Sequence, residues 1–124
     1  MTLRWRINHD RQRVLVIAEG DVTRADIDAY LDAVASEGAL AYPKVFDGSA
    51  GDTSMDAHEL LGIAVRIRSY HDRPVGPLAI VLREDKSHLV LRVLGALAAA
   101  RRPLKIFSSL KPAERWIDSL EYSR

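Results

Sequence analysis

Ser49, Thr53 and Ser54 lie in one short stretch, KVFDGSAGDTSMDAHE over residues 44–59, among Asp47, Asp52, Asp56, His58 and Glu59. These residue types allow phosphorylation, phosphate cradling, attack by a hydroxyl nucleophile, or proton transfer by a histidine paired with an acid. A phosphate on Thr53 or Ser54 would sit at the start of a helix, where unbonded N–H groups and the helix dipole favour negative charge. Asp52, Asp56 and Glu59 crowd the same turn and repel it. Helix capping accounts for the same hydroxyls and acids. Thr53, Ser54 and Ser49 are the candidate phospho-acceptors. Gly48-Ser49-Ala50-Gly51 has no Gly-Lys-Ser/Thr, so it is not a nucleotide phosphate loop. A hydrolase elbow places glycine two residues before the serine, and Asp47 occupies that position. Glycines here suit a tight turn.

His9, His58, His71 and His88 include no pair at helical i, i+4 spacing, and cysteine is absent. No metal site and no cofactor are expected from such a set. His58 beside Asp56 and Glu59 fits a solvated helix start better than a catalytic pair. No catalytic residue is assigned. Asp47, Gly48, Gly51, Asp52, Asp56 and His58 read instead as a loop on which a protein partner docks.

The elements that position this loop follow from hydrophobic periodicity. Leu3, Trp5 and Ile7 alternate with Arg4 and Arg6, the pattern of a half-buried strand. Turn formers at 8–10 precede a second strand over 13–19, antiparallel to the first, which Gly20 and Asp21 end. Thr23 with Asp26 resembles a capping box. Ile27, Tyr30, Leu31 and Val34 give one apolar helix face, and Gly38 a stop. A third strand spans 44–47. Ser54 or Asp56 caps a second helix with Leu60, Ile63, Ala64 and Ile67 inward, ending near Tyr70. Residues 78–82 read as a buried strand, 87–100 as a third helix, and 104–107 as the last strand. A fourth helix carries Ala113, Trp116, Ile117 and Leu120, before a frayed tail over 121–124. The order is β-β-α-β-α-β-α-β-α: an α/β fold with a mixed, mostly parallel five-stranded sheet and four helices.

At 124 residues, one domain over 1–124 is the simplest reading. Net charge is +1, from 18 basic and 17 acidic residues mixed along the chain, so no nucleic-acid footprint exists. The N-terminus lacks the apolar run of a signal peptide. The longest apolar stretch, residues 89–100, is interrupted by Arg92 and falls short of the roughly 20 residues a membrane span takes. No membrane insertion is expected, and the lack of cysteine fits the cytoplasm.

This order of elements resembles the STAS domain of the SpoIIAA-related anti-sigma-factor antagonists, and more closely the small SpoIIAA-like bacterial proteins. The likeness rests on the strand end at Asp47, the apolar strand over 78–82, Phe107 at a strand end, and Ala113 with Trp116 and Ile117. It implies a SpoIIAA-like fold and a regulatory, protein-binding role. In the regulators an Asp-Ser pair opens the helix after the third strand and its serine is phosphorylated. Asp52-Thr53 is the nearest match here, with Met55 where a glycine would stand. Phe107 and Trp116 are expected in the core.

Three functions are therefore carried forward. The first is a non-enzymatic interaction module whose protein partner meets the loop from Asp47 to His58. The second is a binder of a small apolar, lipid-like ligand, lined by Ile63, Val65, Ile67 and leucines of the third helix. The third is a small hydrolase using Ser49. A homodimer through the first strand or third helix fits each of them, although Arg4 and Arg6 guard that edge.

Overall fold

The computed structural model describes residues 2–52, 55–70, 75–83 and 103–122. Five strands form one sheet in sequential order: β1 (Leu3–Asn8), β2 (Arg13–Asp21), β3 (Lys44–Asp52), β4 (Leu78–Val81) and β5 (Leu104–Phe107). β1 pairs antiparallel with β2, while β2–β3, β3–β4 and β4–β5 are parallel. Among the described residues three helices stand out: α1 (Arg24–Ser36), α2 (Ala57–Arg68) and α3 (Leu110–Tyr122). The helix expected over residues 87–100, and with it the count of four, lies outside the described residues. No helix among the described residues is long and apolar enough to cross a membrane.

Alternation along the strands sorts their side chains onto two faces. Val14, Val16 and Ala18 of β2 pack with Tyr30, Leu31 and Val34 of α1. On the opposite face Val45, Ala79 and Val81 pack with Ala113 and Ile117 of α3. Phe107 and Trp116 are half-buried against that second cluster, their ring centroids 5.9 Å apart.

Local chemistry sets the helix ends. Thr23 accepts a bond from the Asp26 N–H, and the Asp26 carboxylate accepts from the Thr23 N–H, a reciprocal capping box. Thr2 donates its hydroxyl to the same carboxylate at 2.6 Å. Chiefly that bond, and then the Thr23 N–H, holds the Asp26 carboxyl below its usual pKa. Thr23→Ala removes a cap and is expected to cost about 1 kcal/mol, read as a lowered melting temperature; an unchanged melt would show the cap is dispensable. α1 stops at Gly38, whose φ is +70°. Asp56, not Ser54, is the described cap of α2: it accepts from the Glu59 N–H at 2.8 Å.

Four expected boundaries need correction. Gly20 and Asp21 do not end β2, because both pair with β3, opposite Gly51 and Asp52. β3 does not end at Asp47 but runs to Asp52. α2 ends at Arg68 rather than near Tyr70, with Ser69 as its cap. α3 continues to Tyr122, so Glu121 and Tyr122 of the tail expected to fray are helical.

Candidate functional site

The expected glycine-rich turn at Gly48–Gly51 is instead a β-bulge within β3. Ile17 pairs with Asp47 and Glu19 with Ala50, so β3 carries one more residue than β2 over that interval. The glycines serve close approach rather than a reversal of the chain. A Cβ on Gly51 would lie 2.7 Å from the Ala18 Cβ, and one on Gly48 would lie 3.1 Å from the Val81 carbonyl oxygen.

The bulge also explains the local polar bonds. Ser49 donates its N–H at 3.1 Å and its hydroxyl at 2.7 Å to one oxygen of Asp47. The pair closes a small turn and leaves the Ser49 side exposed. Asp52 ends β3, its carbonyl accepting from the Val22 N–H at 2.8 Å. Thr53 and Ser54 lie outside the described residues. Asp56 is spent on the helix cap. His58 is exposed on the first turn of α2, and among the described residues no ion pair joins it to Asp56 or Glu59. The described loop residues thus lie along one edge, at the carboxyl end of β3.

Beneath this edge lies a cavity of about 210 Å³ between the sheet and helices α1 and α2. Its floor is Ala18, Phe46, Leu78 and Ile80 of the strands. α1 contributes Ile27, Tyr30 and Leu31, and α2 contributes Leu60, Ile63 and Ile67. Gly48, Gly51, Asp52 and Met55, from the loop above, close one end. Among the described lining residues the charged ones are Lys44 and Asp52. Ile63 and Ile67 were anticipated as a lining pair. Val65, expected beside them, is 59% exposed, because it falls on the opposite side of α2. The leucines expected from the helix over 87–100 lie outside the described residues.

The roof is fastened by charge. Arg66 of α2 reaches Asp28 of α1 at 2.9 Å and pairs with Asp32 as well. Asp32 first, and Asp28 with it, hold the Arg66 pKa above its ordinary value against the opposing effect of burial. Arg24 lies across Gly62, where any Cβ would collide with its guanidinium. None of these cross-helix contacts is visible in hydrophobic periodicity.

Lys44 is the residue whose role the sequence concealed. It is 4% exposed, and its ammonium donates to the carbonyls of Leu40 at 2.6 Å and Tyr42 at 2.7 Å. A lysine is rarely buried so far, and only when its charge is satisfied. The available signal was alternation: Lys44 shares its strand face with Phe46 and Gly48, both of which line the cavity.

No family model and no curated protein matches the chain. Among solved structures it is similar to an uncharacterized protein of the DUF3478 family with a SpoIIAA-like fold from Shewanella loihica PV-4. The TM-score is 0.64 and the sequence identity 16%, and the match covers 93% of each chain. With five strands in a mixed sheet, a bulged third strand and helices on both faces, this chain has the SpoIIAA-like α/β fold.

Proposed function

We propose that the chain is a non-enzymatic, cytoplasmic regulatory module that takes a small apolar molecule into the cavity and offers the edge from Asp47 to His58 to a protein partner. The observation that carries this reading is the cavity itself, which shares a wall with that edge through Gly48, Gly51, Asp52 and Met55. A guest in contact with these residues touches the back of the segment whose front, at Ser49 and His58, faces solvent. Open α/β sheets meet their ligands at the carboxyl ends of strands, where this edge lies. An apolar cavity of about 150 Å³ holds a benzene-sized guest, so about 210 Å³ suits a molecule only modestly larger. Among the described polar groups at the edge, Asp47, Ser49 and Asp56 are engaged in turn and cap bonds, which favours recognition over catalysis.

Native mass spectrometry of freshly expressed protein tests the reading. A bound small-molecule mass is expected, released on denaturation. Ile63→Trp should abolish it, because the indole fills the space the guest occupies. Adding bulk to a filled core costs about 1–3 kcal/mol; here a cavity receives it, so the melting temperature should change little. A clean apo mass that also fails to take up 1-octanol, or a guest that persists in Ile63→Trp, would defeat the proposal.

A further inference from the structure

We infer that the guest is an uncharged, hydrocarbon-like molecule of about eight carbons, bearing neither an acid nor an amine; this rests on the cavity being a ligand site. Among the described residues that line it, only Tyr30, Lys44, Asp52 and Tyr70 carry strongly polar side chains. None of the four is without a partner inside the protein. The Lys44 ammonium donates to the Leu40 and Tyr42 carbonyls, and the Tyr70 hydroxyl accepts from Arg66 at 3.4 Å. What this wall offers a guest is chiefly carbon, from Ile27 and Leu31 of α1, Ile63 and Ile67 of α2, and Phe46 and Ile80 of the sheet. An ionised guest would give up its water shell and find no unengaged charge here in exchange. Burying a charge without such a partner is strongly unfavourable.

Size and wall chemistry narrow the class further. An apolar cavity of about 150 Å³ takes a benzene ring, so in proportion about 210 Å³ takes about eight carbons. Phe46 in the floor, with Tyr30 and Tyr70, brings rings to the chamber. A guest ring gains edge-on or offset contacts with such neighbours beyond its buried area. The thioether of Met55 adds a soft, polarisable contact. Water competes poorly for the same space, because a buried water needs polar partners and those of the described wall are engaged. An alkylbenzene such as ethylbenzene has the size, the ring and the lack of charge that this wall selects.

The test is isothermal titration of the full chain at pH 7 with ethylbenzene, phenylacetate and 2-phenylethylammonium, which share one carbon skeleton, and with 1-octanol as a second apolar probe. Ethylbenzene is expected to bind at least tenfold more tightly than either ion. Butylbenzene, although more hydrophobic, should bind no more tightly than ethylbenzene, because the chamber is then full. Ile63→Trp should abolish ethylbenzene binding. If phenylacetate or 2-phenylethylammonium matches ethylbenzene, the uncharged guest is overturned while the cavity reading stands. Tighter binding of butylbenzene overturns the size, and ethylbenzene binding that persists in Ile63→Trp overturns the placement. If 1-octanol binds and ethylbenzene does not, the guest class alone is wrong. If no probe binds, the guest class and the cavity reading fail together. Should Ile63→Trp not fold, the ranking of the probes on the natural chain decides alone.

Discussion

Gly76→Ala is expected to destabilise the protein by about 3 kcal/mol, the upper end of the cost of overpacking a filled site. Gly76 is buried where the approach to β4 passes the segment leaving α1. Its N–H donates to the Leu40 carbonyl at 2.8 Å, and the Lys44 N–H donates to the Pro77 carbonyl at 2.8 Å. An added Cβ would collide with the main-chain carbonyl oxygens of Ala41 and Tyr42. These are backbone atoms, which cannot swing aside as a flexible side-chain tip can. The segment that must move also holds Lys44, through the carbonyls of Leu40 and Tyr42. Urea titration should therefore show the loss of stability. A cost below about 1 kcal/mol would show that residues 40–42 yield freely.

The stability of this crossing was hidden in the sequence for a physical reason. Periodicity reports which face of an element is apolar, and the three described helices were legible on that basis. Ile27, Tyr30, Leu31 and Val34, then Leu60, Ile63, Ala64 and Ile67, all turn inward as their spacing required. Caps are equally local, so Thr23 with Asp26 could be read three residues apart. A glycine carries no such direction. Glycine marks a turn, a bulge or a close approach alike. What decided between them at Gly51 was Ala18 on the neighbouring strand, and at Gly76 it was the carbonyls of Ala41 and Tyr42. The same limit applied to the charged residues. A lysine at the start of a strand reads as exposed until the chain around it brings two carbonyls within reach. Arg66 likewise finds Asp28 and Asp32 only after α1 and α2 lie side by side. Hence the fold was legible, whereas the strand end expected at Asp47 lies at Asp52 and the burial of Lys44 was not seen.

Ile117→Ala separates the two faces of the sheet and is expected to cost about 2–5 kcal/mol. Ile117 is fully buried in the second core cluster, where α3 meets β3 and β4 through Val45, Ala79 and Val81. In that cluster, among the described residues, it packs with Val45, Ala79, Val81 and Ala113, and the cost depends on how far such neighbours can close the gap. None of its five buried residues lines the cavity, which occupies the opposite face. The inner strand positions Phe46, Leu78 and Ile80 alternate with Val45, Ala79 and Val81, so only the strand backbone lies between the two sites. Denaturant unfolding of Ile117→Ala should thus show a large loss of stability. Titration of its folded fraction, well below the unfolding transition, should return the affinity of the natural chain for 1-octanol within about twofold, or roughly 0.4 kcal/mol. A tenfold loss of affinity in that variant would mean the sheet transmits strain from one core to the other. The ligand chamber would then be a property of the whole fold and not of the face formed by α1 and α2.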